Sequence, residues 1–256
     1  MKRSGRIILK AGVLAGIVGL AACSGDSPTA IGAQEGGEQS SSALPAAFGW
    51  FSDDVEAYVE GDYIVLGSNG VPNHSSPYFD TSDSRYAVYS GDNPDFQLNP
   101  NRIREQQFTF RIPLAPTEAS VHTATPLGPI GIAVNGVAIF NQYAGPSQPL
   151  TFEIDSFDQY NGHPQQTGVY HYHVEPVYLT VAAGPTALLG FLLDGFPVYG
   201  PEEDGRQVSN ADLDELHGHF GATADYPDGI YHYHVTADDP YINGAGFYGT
   251  PGTVSG

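Results

Sequence analysis

The sequence predicts a mostly β protein, a single domain of antiparallel, sandwich-like sheets with few short helices. Three observations predict it. From about residue 48 onward, Gly, Pro, Asn and Asp separate short apolar or alternating runs, as turns separate strands. Helical periodicity is scarce along the same stretch. The second half of the chain also matches itself in order, which is the mark of an internal duplication.

The start of the chain stands apart from that domain. Lys2, Arg3, Arg6 and Lys10 precede the short apolar run 11–20, and Leu20-Ala-Ala-Cys23 ends it, as in a bacterial lipoprotein signal. The run is too short to span a bilayer permanently. We therefore expect a signal peptide over 1–22 and lipidation of Cys23, the single cysteine of the chain, giving a membrane anchor and a cell-envelope location facing the periplasm or the cell surface. Residues 23–47 are Gly, Ser, Ala and Pro without apolar periodicity, the composition of a flexible linker. Residues 48–256 remain for one domain, long enough to build a core without disulfides, for which it has no cysteine.

The strands follow in order. Tyr63–Leu66, Gln107–Ile112, Ile130–Val134, Val137–Phe140 and Leu188–Leu193 are apolar or alternating and bounded by turn residues. Gly131–Phe140 matches Gly190–Tyr199, and each reads as a hairpin turned by Asn-Gly or Asp-Gly. Asp158–His163 then matches Asp214–His219. Tyr170-His-Tyr-His173 finally matches Tyr231-His-Tyr-His234. The repeats run over about 127–182 and 186–242, and the simplest packing relates them by a pseudo-twofold with equivalent strands close together. The best helical stretch is Ser209–Leu216, where Ser209 and Asp212 resemble a capping box.

Charge excludes one class of partner. Four of the nine basic residues lie in the first ten positions and all 29 acidic ones lie beyond Cys23. That leaves five arginines against 29 carboxylates, a net −24 with histidine neutral. Such a surface repels phosphate backbones, so nucleic acid is not a partner.

The paired motifs carry the chemistry. Side chains alternate along a strand, so His171 and His173 face one way and Tyr170 and Tyr172 the other. Two residues span about 6.6 to 6.8 Å, which lets both imidazoles lean toward one ion. His232 and His234 repeat the arrangement. His163 and His219, each after a glycine, are the third candidates in their halves, with Gly162 and Gly218 expected to leave the turn in a left-handed conformation. Either three imidazoles meet in each half or four to six meet near the twofold. Imidazole ligands without thiolate suit copper, or less well zinc. Asp158 and Asp214 are candidate hydrogen-bond acceptors that fix the imidazole tautomers. His74 is a further candidate ligand or an ordinary loop residue, while His122 and His217 lack counterparts and read as structural. Asp80, Asp83, Asp92 and Asp95 match no calcium-loop spacing and read as a solvated acidic loop. An alternating Tyr and His strand is also what a merely amphipathic strand looks like, and duplication would copy a structural pattern as well as a ligand set.

The chain resembles the YHYH family of bacterial secreted or lipid-anchored proteins. The likeness runs through Ser68–His74, Asn99-Pro-Asn101, Gly131–Gly136, Asn161-Gly-His163, Tyr170–His173, Asp194–Pro201, Gly218-His219, Tyr231–His234 and Gly249-Thr-Pro251. It implies one domain with a shared site and names no reaction. Relatives carry cysteines near the positions of Tyr160, Leu216 and Ala245, so a family disulfide does not extend to this chain.

These readings converge on an extracytoplasmic lipoprotein with a histidine-rich site that binds, stores or delivers a metal ion. A metal-dependent hydrolase or oxidoreductase using the same histidines, with Asp158, Asp214 or a tyrosine assisting, is the alternative enzyme reading. A surface module that binds glycan or protein through exposed tyrosines is the third.

Overall fold

The structure is a computed structural model that describes residues 43–256 except Ala245. The expected signal peptide, Cys23 and the linker up to residue 42 lie outside the described residues. The rest of that linker is partly structured, because a 3-10 turn over Ala46–Trp50 buries Ala47 and Phe48.

The strands are β1 (Glu56–Glu60), β2 (Tyr63–Ser68), β3 (Phe108–Pro113), β4 (Pro129–Ala133) and β5 (Ala138–Phe140), followed by the short β6 (Tyr143–Ala144) and β7 (Gln148–Pro149). Next come β8 (Gly162–Pro164), β9 (Tyr170–Tyr172), the helix α1 (Val177–Ala183), β10 (Leu188–Leu192) and β11 (Pro197–Tyr199). The chain closes with β12 (Glu202–Glu203), β13 (Arg206–Gln207), β14 (Gly218–Gly221), β15 (Ile230–His234) and β16 (Thr253–Ser255). The expected helix at 209–216 is only a 3-10 turn over Asn210–Asp212, although its Ser209 and Asp212 do form the capping box. Three residues fixed by one reciprocal cap make a turn, not a helix.

A four-stranded antiparallel sheet, β1-β2-β3-β16, and an eight-stranded sheet, β14-β15-β11-β10-β4-β5-β9-β8, share one core. Alternation drives the smaller sheet: Ile64 pairs with Ile112 and Leu66 with Phe110, all four buried in the shared core. In the larger sheet the central strands β5, β10 and β11 are buried at every position, which matches their unbroken apolar runs. Phe48 stacks on Phe191 of β10 with ring centroids 4.1 Å apart and helps to cover that centre.

The order of the larger sheet reads the same from both ends. At its middle β4 and β10 pair antiparallel, with Gly131 opposite Leu192, Ile132 opposite Phe191 and Ala133 opposite Gly190. The Asn-Gly and Asp-Gly tips turn as the sequence predicts, with Gly136 and Gly195 at positive φ. Two features differ from expectation. The pairings β5 with β9 and β11 with β15 are parallel, so the sheet is mixed. The matched hairpins are neighbours, but the two YHYH strands are not. Five strand spacings separate β9 from β15, about 24 Å at the usual interstrand distance.

Candidate metal centres

Each YHYH strand is paired with the Gly-His strand of its own half. In the antiparallel β8–β9 pair His163 stands opposite His171, and in β14–β15 His219 stands opposite His232. Directly opposed residues point to the same face, and so does the residue two further along, His173 or His234. Three imidazoles therefore meet twice, once at each end of the eight-stranded sheet. The sequence leaves three per half or a shared cluster open, and the strand order decides for the former.

In the first trio Nε2 of His171 lies 3.1 Å from Nε2 of His163 and 2.9 Å from Nε2 of His173. Each ring's other nitrogen settles where its proton is. Nδ1 of His171 faces the carbonyl of Val169 at 3.0 Å, and Nδ1 of His173 faces the carbonyl of Asn141 at 2.5 Å. A carbonyl only accepts, so both Nδ1 atoms carry hydrogen. Ser156 gives its hydroxyl hydrogen to the carbonyl of Glu153 at 2.7 Å, so the same oxygen accepts from Nδ1 of His163 at 2.7 Å. Burial pushes His163 down to about 3 and His173 to about 4, and holds His171 well below the usual range. With the rings neutral, three Nε2 lone pairs point into one space with no proton between them. Oε1 of Glu153 closes on the same space, 3.4 Å from Nε2 of His163.

The second trio follows the same plan in two of its three rings. Nδ1 of His232 donates to the carbonyl of Ile230 at 3.0 Å, and Nδ1 of His234 to the carbonyl of Gly200 at 2.8 Å. Nε2 of His219 and of His232 lie 3.0 Å apart. Glu203 reaches both, 3.2 Å from His219 and 3.3 Å from His232. Nε2 of His234 is buried without a hydrogen-bond partner. Burial lowers His234 to about 4 and His232 in the same direction.

This geometry suits a metal ion. Bonds of about 2.0 to 2.1 Å place neighbouring ligand nitrogens about 2.9 to 3.4 Å apart. Glu153, His163, His171 and His173 form one group of donors within 4.8 Å of one another, and Glu203, His219, His232 and His234 form another. Without a cation the first set holds repelling lone pairs together and the second leaves Nε2 of His234 unpartnered; with one, each becomes a three-imidazole, one-carboxylate ligand set.

The tyrosines of the motif do different work on the opposite face. Tyr170 donates to Asp158 at 2.9 Å, and Tyr231 to Asp214 at 3.0 Å. The same carboxylates cap their turns, Asp158 taking the amides of Tyr160 and Gly162, and Asp214 those of Leu216 and Gly218. The second tyrosine of each motif reaches the hairpin tip: Asn135 donates to Tyr172 at 3.1 Å, and Tyr233 donates to Asp194 at 2.6 Å. Each YHYH strand thus uses one face for donors and the other to tie strand, turn and hairpin together.

Three expectations are corrected. Asp158 and Asp214 do not contact the imidazoles; backbone carbonyls and Ser156 orient those rings, and the aspartates hold tyrosines on the far side of the sheet. His74 is outside both donor groups: its Nδ1 donates to Ser75 and its Nε2 accepts from Tyr172 at 2.9 Å. Gly162 and Gly218 are not left-handed; Asn161 (φ 63) and His217 (φ 73) are. The glycines are required because the ring ends of Tyr170 and Tyr231 occupy the space a Cβ would need. His217 is structural as expected, bonded to Thr236.

Glu153 and Glu203 are absent from the sequence reading. They stand 10 and 16 positions before their Gly-His histidines, one leading into a 3-10 turn and the other in a hairpin, so matching the halves does not align them.

Fold and sites together define a mostly β protein with two histidine-rich candidate metal centres. The family profile for YHYH protein matches residues 109–207 and 202–246, and the chain belongs to that family. Comparison with curated proteins and with solved structures gives no match.

Proposed function

We propose that this chain is a cell-envelope lipoprotein that binds two transition-metal ions, one in each trio, and stores or delivers them. The observation that carries the reading is the convergence, in the first trio, of three imidazole Nε2 lone pairs whose protons are committed to Nδ1. Buried polar atoms are ordinarily paired, and here they face one another instead. In the first trio a neutral network would need a proton on one Nε2 of each close pair, which the backbone carbonyls and Ser156 forbid; in the second the carbonyls fix His232 and His234, and the buried, unpartnered Nε2 of His234 supports the reading there.

The donor set is nitrogen and oxygen without sulfur, which favours copper, with zinc as the competitor. For such ligands Cu2+ stands at the top of the affinity order. The envelope location and the anchor at Cys23 are supported by the basic start, the short apolar run and the position of the cysteine.

Metal analysis of the purified full chain after mild dialysis tests the reading. The expected result is two equivalents per chain, and none in the double variant His171→Ala, His232→Ala with the fold retained. Unchanged metal in that variant would remove these histidines as ligands. A folded wild-type chain that takes up neither Cu2+ nor Zn2+ would leave the surface module as the better reading.

A pocket of about 240 Å3 beside His232 and His234, lined also by Tyr199, supports a second reading as a metal-dependent enzyme with Tyr199 as the proton-bearing group. Turnover lost in Tyr199→Phe at full metal occupancy would favour it.

A further inference from the structure

We infer that the two centres are unequal: the Glu203 centre exchanges its ion quickly with solvent through an acidic pocket, and the Glu153 centre releases its ion more slowly from behind buried imidazoles. The inference rests on the metal-binding reading above. Four comparisons between matched positions support it.

The first is access. The side chain of His163 is 3% exposed and that of His219 is 27% exposed, while the carboxylates are alike, 29% for Glu153 and 23% for Glu203, so the difference lies in the imidazoles. His232 and His234, otherwise buried, line the 240 Å3 pocket directly.

The second is cover. Phe140 stacks on His171 with centroids 3.9 Å apart, and Phe157 packs against His163 and His173 at 4.8 and 5.8 Å. The position matching Phe140 is Tyr199, whose ring stands 5.3 Å from His232. Its hydroxyl is drawn to Thr223 and Asp225 at 2.8 and 2.9 Å. An apolar lid over one centre is thus replaced by a tethered polar wall over the other.

The third is orientation of the third imidazole. Ser156 holds Nδ1 of His163. The residue in the matching position is Asp212, which is engaged with Arg206 and Ser209, and no hydrogen bond reaches Nδ1 of His219 among the described residues. A ring held at one end only can swing and open a coordination position.

The fourth is charge. Glu202 and Asp204 flank Glu203 at the pocket, and Arg206, opposite Glu203 in the β12–β13 hairpin, is taken up by Asp212. The depression beside Glu153 and His163 is rimmed by neutral amides such as Asn99, Asn101, Gln165 and Gln166. A single-sign acidic mouth concentrates cations and speeds their entry. The buried, unpartnered Nε2 of His234 points to an ion at the end of that path.

The test loads the full chain with two equivalents of Cu2+, adds excess EDTA at low ionic strength and follows release in time. The expected course has two phases of one equivalent each. The fast phase should vanish in His219→Ala and the slow phase in His163→Ala. In Glu202→Gln, Asp204→Asn, which alters only the pocket mouth, Cu2+ uptake into the fast-exchanging centre should slow by about 3- to 10-fold, and the difference should shrink at high salt. Release of both equivalents in one phase, or assignment of the fast phase to His163, would overturn the inequality while leaving metal binding intact. Absence of any bound Cu2+ would overturn both.

Discussion

Tyr170 donates its hydroxyl hydrogen to Asp158 over 2.9 Å, on the face of β9 opposite His171 and His173. Tyr231 and Asp214 repeat the bond over 3.0 Å in the other half. The tyrosines are therefore the frame of each candidate centre, and the histidines on the other face are its candidate donors. Tyr170→Phe should cost about 1 to 3 kcal/mol, because Asp158 is buried and loses a donor. Metal content should stay at two equivalents. Urea denaturation with metal analysis checks both, and loss of an ion without loss of stability would assign the tyrosine to the ligand set instead.

The centres should behave independently. With about 24 Å between β9 and β15, removing one donor set should leave the other unaffected. His171→Ala is expected to bind one equivalent and His232→Ala one equivalent, each with the wild-type affinity of the remaining centre by titration calorimetry. Loss of both ions in either single variant would show that the trios cooperate.

Acid should weaken the metal-free protein. Burial holds His74 and His217 at about 4 against 6.5 in the unfolded chain. Their contribution is complete above pH 6.5 and is lost as the pH falls through 6.5 toward 4, because only the unfolded chain takes up protons in that window. Asp158 and Asp194, held by burial at about 6, act the other way and recover stability as pH falls from 6 toward 4. With His163, His171, His173, His232 and His234 of the trios also lowered by burial, seven imidazoles outweigh the three raised carboxyls, Asp158, Asp194 and Glu153, so the net slope is a loss. His74 and His217 are each worth at most about 3 kcal/mol, less after solvent screening. Urea midpoints from pH 7.5 to 4.5, after chelation, should fall, and His74→Asn should flatten the fall. A midpoint that rises toward acid would contradict this balance.

Gly218→Ala should damage one centre and spare the other. The added Cβ would lie 2.5 Å from the end of the Tyr231 ring and 2.6 Å from the carbonyl of His232. Overpacking of this kind costs about 1 to 3 kcal/mol and pushes β14 away from β15. The variant should retain one equivalent of metal, and retention of two would show that the strand pair has slack.

Much of this was legible from residues alone. Strand periodicity and Asn-Gly or Asp-Gly turns place most of the major strands, because burial on a pleated sheet imposes its own period. The His-x-His spacing puts two imidazoles on one face for the same reason. Ser209 and Asp212 announce their cap but not the brevity of the turn behind them, since local signals do not measure how far packing will support a helix. The role of His74 was not legible either: a loop histidine looks alike whether its partner is an ion or the hydroxyl of Tyr172, 98 positions away.

What the sequence determined by itself is the β class, the YHYH strands, the three imidazole types in each half and the acidic charge, all of them consequences of local period and composition. Tertiary structure alone decided that the trios sit at opposite ends of one sheet, that Glu153 and Glu203 complete them, and that Asp158 and Asp214 serve the tyrosines. Those outcomes depend on strand order and on loops brought together across space, and no spacing along the chain encodes which neighbour a side chain will meet.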